Sequence, residues 1–324
     1  MGRTRDTSKI FTTTANSIAN IDLTSAIVTA STASVNELNK RIYIGSASPT
    51  ITQDGQIWID ITTASQPNVS IRGSQDFRFP TFGRSATGGT ILDSGGYRTH
   101  TFTSSGTFNL PDTKSIEYLI VGGGASGSKG TPGVCYGAGG GAGGVRTSTS
   151  TISAGTYSII IGAGGPGSPS QNTKSNGNDS SAFSLTAGAG QGGNSGSGSG
   201  FGGTSGSPQS NAGGGTGINP SGGGGGAGGT GFAGNAAGNQ ARGGAGISSS
   251  ISGTGLFYAG GGGGGGDGVS GSGGSGVGGN GAGNGATPTS GTVNTGSGGG
   301  GMRGDDAFTA GSGGSGIVII RYLI

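Results

Sequence analysis

The sequence predicts an all-β protein: a β-sandwich-like domain with long polyglycine, polyproline II-like excursions, preceded by an N-terminal arm and a small β-hairpin module. Three observations predict it. Glycine is distributed unevenly: residues 1–120 hold 10 of the 85 glycines, and Gly260 to Gly266 are seven in a row. The chain closes on Ile317-Val318-Ile319-Ile320-Arg321-Tyr322-Leu323-Ile324, an apolar, strand-like run that needs partners, and comparable runs lie around residues 116–121 and 157–161. Short alternating or apolar segments separated by turn residues fill the middle of the chain. A disordered glycine linker has no reason to end on such a strand. Nor does it explain the apolar residues that punctuate the tracts, Phe201, Ile218, Phe232, Ile247, Leu256, Phe257, Tyr258, Val269, Val277 and Val293.

Glycine is costly to order, because it loses more backbone freedom than any other residue and buries no side chain. Compensation has to come from close approach of backbones, with N–H and C=O groups pairing between segments at about 1 kcal/mol net per bond. Left-handed threefold helices of the polyproline II kind suit that packing. Collagen is excluded, since the glycine runs are unbroken and the chain has only 10 prolines.

The elements follow in order. Residues 1–33 are rich in Thr, Ser, Ala and Asn with isolated apolar residues, and read as an arm that orders against a partner or against copies of itself. Ser34 and Glu37 have capping-box spacing, and Val35, Leu38 and Ile42 follow at helical intervals, so a short helix is expected over about 35–41. Residues 42–90 are expected to form the hairpin module and a linker: Ile42-Tyr43-Ile44, then Asp54-Gly55 leading into Gln56-Ile57-Trp58-Ile59-Asp60-Ile61, then Asn68 to Gly73. Trp58 is read as the cover of a small sheet. Residues 91–324 are the glycine-rich β-domain. Residues 97–102 and 106–110 flank Ser104-Ser105-Gly106, a hairpin signal. Ser115 to Val121 is apolar on both faces and reads as a central strand. Further strands are expected at 145–152, 156–161, 182–186, 256–258 and 317–324.

Two resemblances attach to these residues. Asp54-Gly55-Gln56-Ile57-Trp58-Ile59-Asp60 resembles the short hairpin of phage tail and fibre proteins that sits between an attachment segment and a distal domain. The ordered set THTFTSSGTFNLP, IEYLIVGGG, GAGGGAGGV, ISAGTYSIIIGAGG, FYAGGGGGGG and GGSGIVIIRY, covering about 97–322, resembles the glycine-rich domain at the distal end of bacteriophage tail fibres and fibre-tip adhesins. The resemblance implies a β-structured domain with polyglycine helices and host-recognition loops. It also implies a virion structural protein, a homo-oligomer with a trimer as the default for fibres, and a host cell-surface glycan or protein as ligand. Residues 1–90 would then meet other tail or baseplate proteins. A capsid or tail decoration protein, such as a head fibre, is the alternative.

Composition narrows the chemistry. Sixteen basic and 13 acidic residues leave a net charge of +3 with no basic patch for nucleic acid or anionic lipid. No apolar run approaches the roughly 20 residues of a membrane helix, so no membrane insertion is expected. The N-terminus carries no targeting signal, so synthesis in the cytoplasm is expected; the resemblance implies that this is the host cytoplasm and that the working location is the virion. Cys135 is the single cysteine, so an intrachain disulfide is impossible. One histidine, His100, read as a surface or half-buried strand residue, supplies neither a zinc cluster nor a catalytic triad with any supporting motif. No phosphate-binding loop closes with Gly-Lys-Ser/Thr. No enzyme, cofactor or metal is expected. Recognition is expected where side chains interrupt glycine, in Ser168–Asn178, Ser207–Asn211, Asn235–Arg242, Thr287–Thr295 and Met302–Phe308. Asn239, Gln240, Arg242, Arg303, Asp305 and Asp306 are the expected exposed contacts. Phe201, Phe232 and Phe257 are read as packing residues.

Overall fold

Alternating residues in the closing segment send side chains to two different cores, and this organises the larger of the two units of the chain. The computed structural model describes four short strands between residues 42 and 78, and residues 85–133, 136–196, 199–201, 203–215, 221–234, 241–268, 270–304 and 307–324. The chain divides into units Met1–Phe82 and Gly83–Ile324. No α-helix occurs among the described residues, and the fold is all-β.

In the first unit, β1 (Ile42–Gly45), β2 (Ile57–Asp60), β3 (Asn68–Ile71) and β4 (Phe77–Arg78) form one four-stranded sheet. The expected hairpin is its β2–β3 pair, with Ile57 opposite Ile71 and Asp60 opposite Asn68. The sheet is larger than a hairpin, because β1 adds in parallel to β2 and β4 pairs with β3. The expected helix at 35–41 and the Asp54-Gly55 turn lie outside the described residues.

The second unit is built on a five-stranded sheet in the order β5 (Thr90–Ser94), β6 (Tyr97–Phe102), β17 (Ile317–Leu323), β8 (Lys114–Val121) and β9 (Val145–Ile152), antiparallel throughout. The closing strand lies at its centre. Val318, Ile320 and Tyr322 join Ile116, Tyr118 and Ile120 in one buried cluster, while Ile317 and Ile319 join Leu119 and Val121 in another. A strand apolar on both faces is buried on both, as expected for Ser115–Val121. The first cluster is closed by β7 (Gly106–Leu110) paired with β10 (Gly155–Ile159), and by the hairpin of β11 (Ser180–Ala182) and β12 (Leu185–Ala187), through Phe108, Leu110, Ile159, Ala182 and Leu185. The second is closed by Ala142, Ala227, Ile251, Tyr258 and Ala259 from the glycine-rich part of the chain, including the hairpin of β15 (Ile247–Ser249) and β16 (Leu256–Tyr258). A further hairpin joins β13 (Asn194–Gly196) to β14 (Ser199–Phe201).

Several local expectations are corrected. Strands 97–102 and 106–110 do not pair as a hairpin. The first pairs with β5 and β17, the second with β10, because Phe102 and Phe108 pack edge to face inside the same cluster from different sheets. Strand 155–159 likewise partners β7 instead of the closing strand. A strand not expected from the sequence, β5, begins at the boundary of the expected linker and turns into β6 through Gly95 (φ +59°) and Gly96 (φ +79°), a left-handed pair suited to a tight hairpin. His100 is fully buried, with Nδ1 2.7 Å from the Gly88 carbonyl and Nε2 3.1 Å from the Tyr322 hydroxyl. Phe232 and Phe257 are half exposed instead of packed; the inward residues of that region are Tyr258, Ala259 and Ile251. The side chain of Phe201 lies outside the described residues.

The glycine tracts form a packed array of threefold helices. From residue 122 onward successive N–H groups turn to three different neighbours. Gly122, Ala125 and Ser128 donate to Gly144, Gly141 and Ala138; Gly123 and Ser126 donate to Asn178 and Ser175; Gly124 and Gly127 donate to Gly314 and Gly311. Each partnership recurs every third residue on both sides, the period of a polyproline II helix. Such a helix radiates donors and acceptors in three directions each, so an interior helix takes six neighbours. Gly260–Gly266 is such a helix. It donates to 241–244, 137–140 and Gly279, and accepts from 298–301, 271–274 and 221–224. None of its glycines has a positive φ. Glycine is required there for space: a Cβ on Gly140, Gly262 or Gly298 would sit closer than 3.0 Å to a neighbouring backbone oxygen. Interruptions by Ser and Thr do not break the array. Gly203 and Gly206 still donate to Gly139 and Ala142, and the buried Ser126 and Ser205 use their hydroxyls to accept from Ser175 and Asn211 N–H groups.

Candidate functional site at the far end of the glycine array

The array has two ends, fixed by its covalent connections. The tract beginning at Gly122 leaves strand β8 directly, so Gly122, Gly144, Gly188 and Gly316 mark the sheet end. Seven residues on, at roughly 3 Å rise each, the tract reaches Lys129 about 20 Å away. Lys129 bridges in parallel to Met302 and to Gln171, and its carbonyl accepts from Asn172 N–H (3.0 Å) and from the Ser195 hydroxyl (2.9 Å). Tyr136 bridges Arg303. These segments end together, so the loops joining them collect at this far end.

The expected recognition segments distribute unequally. Ser168–Asn178 starts at the far end, with residues 169–174 exposed, and returns to the sheet end at Asn178. Ser207–Asn211 lies at the sheet end and its amides face inward. Gln209 accepts from the Val145 N–H (2.8 Å) and donates to the Val145 carbonyl (2.7 Å), and Asn211 Nδ2 donates to Gly226 and Ala227 carbonyls. That segment holds the frame together. Thr287–Thr295 runs along the flank, its backbone tied to Asn280, Gly300 and Val277, and presents Val293 to solvent. Met302–Phe308 begins with a wholly buried Met302, because it packs between Lys129 and Ala282, and becomes exposed only at Ala307 and Phe308 among its described residues.

Of the six expected contact residues, Arg242 and Arg303 are described; Asn239, Gln240, Asp305 and Asp306 lie outside the described residues. The backbone carbonyl of Arg242 accepts from Phe232 N–H at 2.9 Å, and its guanidinium lies 5.3 Å over the Phe232 ring. Both residues are exposed, so an aromatic face and a cation stand side by side on the flank. Arg303 is engaged: its Nη1 donates to Asp267 Oδ1 (2.9 Å) and to Asn284 Oδ1 (2.7 Å). The arrangement joins three tract ends and leaves its polar rim in water. The structure places Arg242 and Arg303 on different tracts with different partners. Sequence reading missed Lys129, whose signal is its position between the Gly/Ala/Ser tract 122–128 and Thr131-Pro132-Gly133. Among the described residues no three His, Cys, Asp or Glu side chains converge as a metal site.

Comparison with known families gives one result: a family model described as a glycine-rich domain matches residues 101–323. The chain belongs to this glycine-rich domain family. The match runs from within β6 to the end of β17, so the glycine-rich domain comprises most of the central sheet together with the array, and not the array alone. No curated protein matches the chain.

Proposed function

We propose that this protein is a bacteriophage virion structural protein, a tail fibre or fibre-tip adhesin, whose glycine-rich domain recognises the host surface. The observation that carries the reading is the ordered set of glycine motifs closed by the strand Ile317–Leu323, which resembles the distal domain of tail fibres from about residue 97 onward. The architecture supports it. A backbone-bonded array gives a stiff stalk, and loops on a rigid scaffold carry recognition. Exposed Phe232 with Arg242, and the rim around Arg303, offer stacking and hydrogen bonding to a glycan or protein. In this reading the protein is not an enzyme, residues 1–90 attach it to other virion proteins, and it assembles as a homotrimer. Deleting residues 97–324 from otherwise assembled particles tests it: adsorption to the host is expected to be lost, and unchanged adsorption overturns it.

The inward-turned amides of Ser207–Asn211 favour a second reading, a capsid or tail decoration protein with no specific ligand. Immunogold labelling of intact particles with antibody against residues 97–324 separates the two. Gold at distal fibre tips supports the adhesin; gold over the capsid supports decoration.

A further inference from the structure

The far end of the array contains a cation that, among the described residues, pairs with no carboxylate. Lys129 is 8% exposed, yet its Nζ makes one hydrogen bond among the described residues, to the Phe308 carbonyl at 3.2 Å. An ammonium carries three donors. Arg98, Arg303 and Arg321, by contrast, are spent on Asp93, Asp267 and Glu117. The Lys129 backbone is meanwhile fixed by the bridges to Met302 and Gln171 and by the two bonds to its carbonyl, and its ammonium is anchored at the Phe308 carbonyl.

The surroundings are those of a ligand subsite. Phe308, whose carbonyl meets the ammonium, is 43% exposed. Beside it, Thr131 Oγ1 donates to Asn172 Oδ1 at 3.2 Å, which orients the Asn172 amide so that its Nδ2 donors face away from Thr131. Asn172 is exposed and held at φ +57°. Lys129 is thus hydrogen-bonded to both Phe308 and Asn172 where the tracts end, through its ammonium to the one and its carbonyl to the other. The geometry points to a subsite for a carboxylate-bearing saccharide: the Lys129 ammonium takes the carboxylate, Asn172 takes a hydroxyl or the second carboxylate oxygen, and the Phe308 ring covers the C–H face of the sugar. This deepens the host-recognition reading and rests on it for its biological setting, but the chemistry is testable alone.

The test uses the full chain on an array of glucuronate-, galacturonate- and sialate-bearing oligosaccharides, each printed beside its carboxyl-reduced counterpart. At least one acidic sugar is expected to bind about tenfold or more tightly than its reduced form. Lys129→Met, which keeps the buried stem, is expected to abolish that discrimination, and Lys129→Arg to restore it. Phe308→Ala is expected to weaken binding without removing the preference for the carboxylate. Equal binding of acidic and reduced sugars, no binding to any of them, or discrimination unchanged in Lys129→Met overturns the subsite. The labelled chain is applied in parallel to a panel of bacterial cells. Cell binding with a blank array overturns the subsite and leaves the adhesin reading standing. Carboxylate discrimination without cell binding supports the subsite and removes the adhesin reading.

Discussion

Gly262 donates its backbone N–H to the carbonyl of Gly140 over 2.9 Å, and that oxygen lies in the centre of the array. Neither residue has a side chain to pack, so the contact exists only because both lack a Cβ. A methyl group on Gly262 would meet the Gly299 carbonyl, and one on Gly140 would meet the carbonyls of Ala125 and Ser126, each closer than 3.0 Å. Backbone, unlike a side-chain tip, has no rotamer to yield. Gly262→Ala and Gly140→Ala are each expected to destabilise the domain by about 3 kcal/mol or more, at or beyond the usual range for overpacking. Gly215→Ala, where nothing lies within 4 Å, is expected to fall within about 0.5 kcal/mol of the parent. Thermal or denaturant unfolding of the three variants checks this, and equal losses at all three sites would refute the space argument.

Burial holds the His100 imidazole below its ordinary pKa. Gly88 O can only accept, so Nδ1 carries the proton, and Nε2 of the neutral ring accepts from the Tyr322 hydroxyl. Protonation therefore puts a second donor against that hydroxyl inside a buried cluster. The unfolded state takes up its proton near pH 6.5 and the folded state only at lower pH. Stability is expected to be fully present above about pH 6.5 and to decline as pH falls from there toward the lowered folded value. His100→Gln should flatten the Tm profile in that window and cost about 1–3 kcal/mol at pH 7, since it leaves a partner unmatched. A profile identical in both proteins would exclude His100 as the titrating group.

Gln209 acts as a short stand-in for a neighbouring strand. Both polar atoms of its amide meet the N–H and C=O of Val145, the buried first residue of β9. Gln209→Ala removes both partners from a residue that water does not reach, with an expected cost of about 2 kcal/mol. Gln209→Glu keeps the acceptor, loses the donor, and should cost a comparable amount. Hydrogen exchange at Val145 is the direct readout: its amide should be protected in the parent and lose protection in Gln209→Ala.

Phe232 and Arg242 sit on the flank with little to do for the fold. Phe232→Ala removes an exposed ring and one cation–π contact, worth about 0.5–1 kcal/mol at an exposed site. Unfolding should therefore shift by no more than that. If the flank contributes to host binding, adsorption of particles carrying Phe232→Ala or Arg242→Ala should fall several-fold. Full adsorption in both variants would confine recognition to the far end.

The sequence alone missed β5 and read residues 182–186, which hold the β11–β12 turn, as one strand, but it determined most of the longer strands, the central place of Ser115–Val121, and the closing strand that makes the glycine tracts internal to a β-structure. Those are local signals: alternation, apolar runs, and the contrast between glycine-poor and glycine-rich halves. It also pointed to polyproline II geometry, because unbroken glycine has no other way to satisfy its backbone groups at close range. Tertiary structure alone decided who pairs with whom. Residues 97–102 and 106–110 are separated by a turn signal yet enter different sheets, because the aromatic cluster of Phe102, Phe108, His100 and Tyr322 draws them together face to face and not edge to edge. The same is true of the site. Arg303 reads in the sequence as a free contact, but Asp267 and Asn284 reach it from other tracts. Lys129 reads as one of 16 basic residues, and only the array, by ending three tracts around it, makes it buried, with its ammonium bonded among the described residues to the Phe308 carbonyl alone. Glycine has no side chain with which to write its partners into the sequence. Register within the array is set by which loops close it, a property of the whole chain.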